Sequence, residues 1–133
     1  MEKAMASTKP GATSTADFTP GWLGDYFTRS MRPKADGKLK KMQAPKGHQP
    51  GLNLDGEAVI NEFREQQQQL LNLLERAKTT DLNAVKVPIS IARFIKLKLG
   101  DVFMFFVAHN ERHIKQAQTA IAGYSNARLL RRA

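Results

Sequence analysis

The chain contains no cysteine. That excludes disulfides, thiolate nucleophiles, thiolate metal ligands and iron–sulfur clusters, so any bound metal must be held by nitrogen or oxygen. Long apolar runs are absent too. The longest, Val102 to Ala108, covers seven residues, against the roughly 20 that a membrane-spanning helix needs. The N-terminus lacks the continuous apolar segment of a secretory signal. A soluble, cytoplasmic protein is the expectation, with no membrane partner. Acidic residues are few, 12 against 21 Lys and Arg for a formal charge of +9, and no two of them stand out as an acid/base dyad.

The location of that charge decides what it implies. Residues 29–46 hold seven basic side chains against Asp36 alone, whereas residues 47–133 hold 12 basic and 8 acidic ones. A second small cluster follows at Arg128, Arg131 and Arg132. A basic loop and tail point to nucleic acid less strongly than a continuous basic face would, and residues 29–46 contain no aromatic side chain to stack on bases. Nucleic acid is therefore disfavoured as a partner.

Along the chain, residues 1–20 are small, polar and broken by Pro10, Gly11 and Pro20. Such a stretch buries too little surface to offset its ordering entropy and reads as a disordered lead. Trp22, Leu23, Tyr26 and Phe27 recur at helical spacing, predicting a short helix or turn over 20–31 that plugs one end of a core. Residues 32–53 are punctuated by Pro33, Gly37, Pro45, Gly47, Pro50 and Gly51 and read as a solvated linker, with Leu39 and Met42 touching the core in passing.

The spacing predicts a long amphipathic helix over 55–78, capped by Asn53 or Asp55. Its apolar stripe is Val59 or Ile60, Phe63, Leu70, Leu74 and Ala77, diluted by a solvated run at Gln66–Gln69. Ser90 suggests an N-cap for a short helix through Ile91, Phe94, Ile95 and Lys98. A second long helix is predicted over 99–122, with Gly123 as its stop. Its half at Val102–Ala108 should be buried on nearly all sides, and Ile114, Ala117 and Ile121 should then face inward. No period-two pattern argues for a strand. The expected fold is all-α, a partial antiparallel helical bundle with long helices at about 55–78 and 99–122 plus short helices. The domain is placed at 21–123, followed by a basic tail at 124–133.

His109 and His113 stand four residues apart on the second long helix. At that spacing two side chains share a face, with Cβ atoms about 5–6 Å apart, and two imidazoles can converge on one ion. Gln116 extends the same face and can hold a ligand, a water or a neighbouring side chain. The pattern is not the HExxH of zinc proteases, because position 110 is Asn and Glu111 projects from another side. Glu111 and Arg112 are expected in surface pairs. As a bare pattern, the histidine pair more often marks ordinary polar residues than a site. His48, in the basic linker, can offer a third nitrogen or remain a solvated loop residue.

The stretch LGDVFMFFVAHNERHIKQAQ, with the upstream linker RPKADGKLKKMQAPKGHQP and the approach VPISIARFIKLKLGD, resembles the DinB-like (DinB/YfiT) superfamily from about Trp22 to Ala122. The resemblance implies a four-helix bundle in which three histidines hold a divalent metal, commonly nickel or zinc, used by some members for thiol transfer or hydrolysis. It makes His109 and His113 the two C-terminal ligands. The family's third histidine lies on an earlier helix, and no histidine precedes Trp22 here. The expectation is a truncated or degenerate member lacking the N-terminal helices, or a half-bundle completed by pairing into a homodimer.

Two functions follow. One is a metal-dependent transferase or hydrolase relative with nickel or zinc at His109 and His113, Gln116 lining the site, and no second catalytic group. The other is a non-enzymatic helical interaction domain that dimerises through an exposed apolar face.

Overall fold

In a computed structural model, residues 18–44, 51, 53–89 and 92–130 are described. The element order is α1 (Trp22–Met31), α2 (Gly56–Ala77), β1 (Lys86–Ile89), β2 (Ala92–Lys98) and α3 (Leu99–Leu130). Among these residues no helix is long and apolar enough to cross a membrane.

Each helix begins and ends for a local reason. In α1 the first turn closes from Asp25 N–H onto the Gly21 carbonyl at 2.8 Å. The helix gives way to extended backbone at Arg32, because Pro33 disfavours the helical conformation in the residue before it. The Asp55 carboxylate caps α2, accepting from the backbone N–H groups of Glu57 and Ala58, and Arg76 in the last turn suits the helix dipole. This agrees with the predicted start. The first amides of α3 are satisfied by the loop between α2 and β1: Leu99 N–H donates to the Val85 carbonyl and Gly100 N–H to that of Leu82. That loop is itself set by an Asx turn, in which the Asp81 carboxylate accepts from Asn83 and Ala84.

Two expectations about the elements are corrected. The segment read as a short helix over 91–98 is instead the second strand of an antiparallel hairpin, with Val87 opposite Leu97, Lys86 opposite Lys98 and a register shift at Pro88/Ile89. The fold is mostly helical, as expected, with a small two-strand sheet in place of that short helix. Val85, Val87 and Leu97 are buried, Ile89 and Ile95 are half-buried, and Phe94 and Lys96 between them are exposed. The same apolar residues satisfy a helical spacing when 91–98 is taken alone. Pairing with Lys86–Ile89 makes period two the stable solution. The suggested cap at Ser90 and the start at Ile91 lie outside the described residues.

The second correction is the end of α3. The helix continues through Gly123 to Leu130, into the segment read as a tail. Gly123 lacks a positive φ, and a mid-helix glycine costs only about 1 kcal/mol relative to alanine. No proline follows to enforce a stop.

The core sits at one end of the molecule. Ala77, Val85, Val87, Leu97, Leu99, Val102 and Phe103 form its buried centre, with Leu23, Phe27, Leu70, Leu73, Leu74 and Leu82 packed around them. α1 crosses the start of α3 closely because Gly24 leaves room for Asp101: a Cβ at position 24 would collide with that side chain. Asp101 is 2 % exposed and accepts from Gly21 N–H at 2.9 Å, so one carboxylate joins the starts of both helices. The residues of α1 that bury are Gly24, Thr28 and Met31. Trp22 and Tyr26, expected to plug the core, are 82 % and 60 % exposed.

Residues 18–20, the end of the segment read as a lead, are held in place. Lys98 Nζ donates to the Thr19 carbonyl at 2.7 Å, and the Phe18 ring lies against Gly100. The rest of the lead lies outside the described residues, as do positions 45–50 of the linker, including His48. Leu39 is half-buried, while Met42 is exposed.

From this core α2 and α3 run past each other in opposite senses. Ala77 at the end of α2 packs near the start of α3, and Gln67 further back along α2 meets Asn110 further along α3. Beyond the core the inward expectation fails. Ile114 and Ile121 are 53 % and 67 % exposed, and Phe106 and Val107 break the all-round burial expected of 102–108. Val59, Ile60 and Phe63 on α2 are exposed as well. Helical periodicity shows which side chains share a face, but burial needs a neighbour on that face.

Candidate metal centre

Between α2 and α3, just outside the core, lies a groove of about 460 Å³ lined by Phe63, Gln66, Gln67, Leu70, Phe106 and the two helix histidines, among others. Helical spacing aligns Phe106, His109, Asn110 and His113 on one face of α3. Phe63, Gln66, Gln67 and Leu70 align on the facing stripe of α2 in the same way.

The two histidines meet. His109 Nε2 and His113 Nε2 are 2.9 Å apart, with ring centroids at 4.4 Å and planes near perpendicular at 82°. His113 Nδ1 donates to Gln116 Oε1 at 2.8 Å. In neutral His113 that bond places the ring hydrogen on Nδ1 and leaves a lone pair on Nε2. His109 then donates from Nε2 to His113. Its ring is stacked on Phe105, with centroids 5.5 Å apart, and its Nδ1 is buried without a hydrogen-bond partner. Burial pushes the His109 pKa below its ordinary value, and the neighbouring charges of His113 and Arg112 push it the same way. His109 is thus held toward the neutral form that a metal ligand requires.

The spacing predicted for His109, His113 and Gln116 therefore brings all three into one hydrogen-bonded chain. A nitrogen–nitrogen distance of 2.9 Å is well under twice the metal–nitrogen bond of about 2.0–2.1 Å, so the spacing admits one ion between both imidazoles once the hydrogen on His109 Nε2 is displaced. Imidazole nitrogens are of the donor type that nickel and zinc take, and Gln116 Oε1 accepts the hydrogen bond that orients His113. The unpartnered Nδ1 of His109 has no such support. Among the described residues there is no group of three or more His, Asp or Glu side chains that could hold a metal ion, so the two imidazoles stand without a third ligand-type side chain beside them.

Other expected roles change. Arg112, expected on the surface beside Glu111, is 5 % exposed. Its Nη2 donates to the Lys40 carbonyl, pinning the linker to α3. Gln67, from the run read as solvated, is half-buried and accepts from Asn110 Nδ2 at 2.9 Å, while Gln66 and Gln69 are solvated yet line the groove. Sequence reasoning passed over Gln66, Gln67 and Asn110 as site residues. The available signal was positional: Gln66 and Gln67 stand three and four residues after Phe63, on its stripe.

A family model described as DinB superfamily covers residues 13–117, taking in every element through the histidine pair. No curated protein and no solved structure matches.

Proposed function

This chain belongs to the DinB superfamily, and from that membership we propose that His109 and His113 are ligands of a divalent ion, nickel or zinc. The superfamily generally binds metal. The observation that carries the reading is the convergence of the two Nε2 atoms at 2.9 Å at the edge of a groove large enough for a small molecule. The helices then correspond to part of a four-helix bundle.

A divalent ion on imidazole ligands supplies Lewis acidity and lowers the pKa of coordinated water toward neutrality. The chain's own residues do the rest. Gln116 fixes the ring of His113, and Phe105 holds that of His109. Phe63, Leu70, Leu73 and Phe106 form an apolar wall that sheds water, while the carboxamides of Gln66, Gln67 and Gln69 offer neutral hydrogen bonds to a substrate. The groove lining contains no carboxylate, lysine or arginine, so proton transfer there falls to the histidines. This composition suits a degenerate relative of metal-dependent transferases and hydrolases.

Calorimetric titration with nickel or zinc tests the reading. Wild-type chain is expected to bind, His109→Ala or His113→Ala to lose at least about 100-fold in affinity, and Gln116→Ala about 10–100-fold as an outer-shell change. If the folded wild-type chain takes up neither ion, the metal reading is wrong. The helical interaction domain would then stand in its place, favoured by the exposed apolar side chains of Ile60, Phe63, Ile114 and Ile121.

A further inference from the structure

We propose that the outward face of α1, carrying Trp22, Tyr26 and Arg29, binds single-stranded nucleic acid together with the basic segment that follows it. The bases stack on the two rings and the phosphates meet the cations. The inference is independent of the metal reading and involves neither helix histidine.

The rings are placed by the helix. Gly24, Thr28 and Met31 form the buried side of α1. At about 100° per residue, Trp22, Tyr26 and Arg29 stand on the side directly opposite, at i, i+4 and i+7. Trp22 and Tyr26 are 82 % and 60 % exposed, and the Arg29 side chain is 76 % exposed. The helical rise sets the two rings about 6 Å apart along the axis, with Arg29 about 4.5 Å beyond Tyr26. Tyr26 is steadied by the tilted ring of Phe27, with centroids 5.7 Å apart. Successive exposed rings make a stacking platform that any base can use, because every base has a π-face.

Charge supplies the complementarity. Between residues 29 and 41 the chain holds six Arg and Lys against Asp36 alone. Arg29 pairs with Asp25 and Lys38 with Asp36. Arg32, Lys34, Lys40 and Lys41 are exposed and make no ion pair among the described residues. The segment is also held in shape. Gly37 N–H donates to the Lys34 carbonyl and Lys34 N–H to that of Lys38, and Arg112 donates to the Lys40 carbonyl. The case against nucleic acid was a basic segment with no aromatic side chain of its own. The fold turns Trp22 and Tyr26 outward on the helix that leads into it, and that joins the two parts single-strand binding needs.

Other occupants fit less well. A bilayer surface takes up aliphatic side chains as well as rings, but in α1 Leu23 packs against the core and Met31 is buried. A second copy would set its own basic segment against this one, in a chain of net +9. A duplex keeps its bases stacked on one another and offers the rings no free face.

Trp22 is the sole tryptophan, so its fluorescence reports on the site directly. Titrating the 133-residue chain with an oligothymidylate of about 12 nucleotides at low salt should quench it saturably. The logarithm of the affinity should fall linearly with that of the salt concentration. Tyr26→Ala, read by the same quench, and Trp22→Ala, read by anisotropy of a labelled oligonucleotide, should each lose at least about 5-fold in affinity. Far-ultraviolet circular dichroism should be unchanged in both, since neither side chain is buried. Lys34→Gln combined with Lys41→Gln should lower the salt slope by about 0.7 per charge removed and leave the maximal quench as in wild type. The proposal is overturned if the oligonucleotide does not quench Trp22, or if both aromatic variants bind like wild type. It is overturned equally if inorganic polyphosphate, or the duplex of the same length, quenches as fully as the single strand. Vesicles of anionic phospholipid that blue-shift Trp22 emission while the oligonucleotide leaves it unchanged would assign the face to a membrane surface instead.

Discussion

His109 carries the chemistry of the site in its environment rather than in its type. It is half-buried, stacked on Phe105 and flanked by His113 and Arg112; burial first, then the charges of His113 and Arg112, disfavour its protonated form. The folded-state pKa is therefore depressed below the ordinary 6.5. Above pH 6.5 neither the folded nor the unfolded chain protonates this ring, and its neutral packing contributes fully. As pH falls from 6.5 through the lower folded value, the unfolded chain gains the proton first and stability is lost. The urea midpoint of the metal-free chain should thus fall between about pH 7.5 and pH 5, and His109→Gln should shrink that fall. An equal pH dependence in both proteins would show that His109 is not the titrating group.

At the scale of elements, two helical glycines have opposite roles. In α1, Gly24 faces Asp101 with no space for a Cβ, whereas Gly123 in α3 has nothing within 4 Å of the same position. Gly24→Ala should destabilise by about 1–3 kcal/mol, because overpacking at the helix crossing outweighs the propensity gain. Gly123→Ala should instead stabilise α3 by up to about 1 kcal/mol. Thermal melts followed by circular dichroism separate the two. If both variants are stabilised, α1 and α3 do not cross as closely as described. The hairpin follows a related logic: a two-stranded ribbon is marginal alone, and this one persists because Val87 and Leu97 pack into the core shared with α3.

The whole molecule is organised about a junction rather than a central core. Leu99, fully buried, lies where β2 passes into α3 and where the Val85 carbonyl receives its N–H. Leu99→Ala should cost about 2–5 kcal/mol, a large share of the roughly 5–15 kcal/mol that stabilises a typical domain. Because α1, α2 and the hairpin all meet there, the loss should appear as one cooperative shift in urea unfolding. Tryptophan fluorescence from Trp22 and far-ultraviolet circular dichroism should report the same midpoint. A variant that lost only the helical signal would mean that the elements unfold independently.

The two long helices except for the end of the second, a cap at Asn53 or Asp55, and the shared face of His109, His113 and Gln116 were legible in the residues alone. All rest on interactions two to four positions apart, which a helix imposes wherever it forms. The hairpin was not legible, because Ile91, Phe94, Ile95 and Lys98 satisfy a helical period as well, and only pairing with Lys86–Ile89 selects the strand. Nor did periodicity reveal that Trp22 and Ile121 would be exposed, that Arg112 would be buried under the linker, or that Gln66 and Gln67 would face the histidines. Each of those outcomes depends on which element lies opposite. Local spacing determines the side of a helix on which a residue stands; the tertiary arrangement alone decides whether that side meets protein, groove or water.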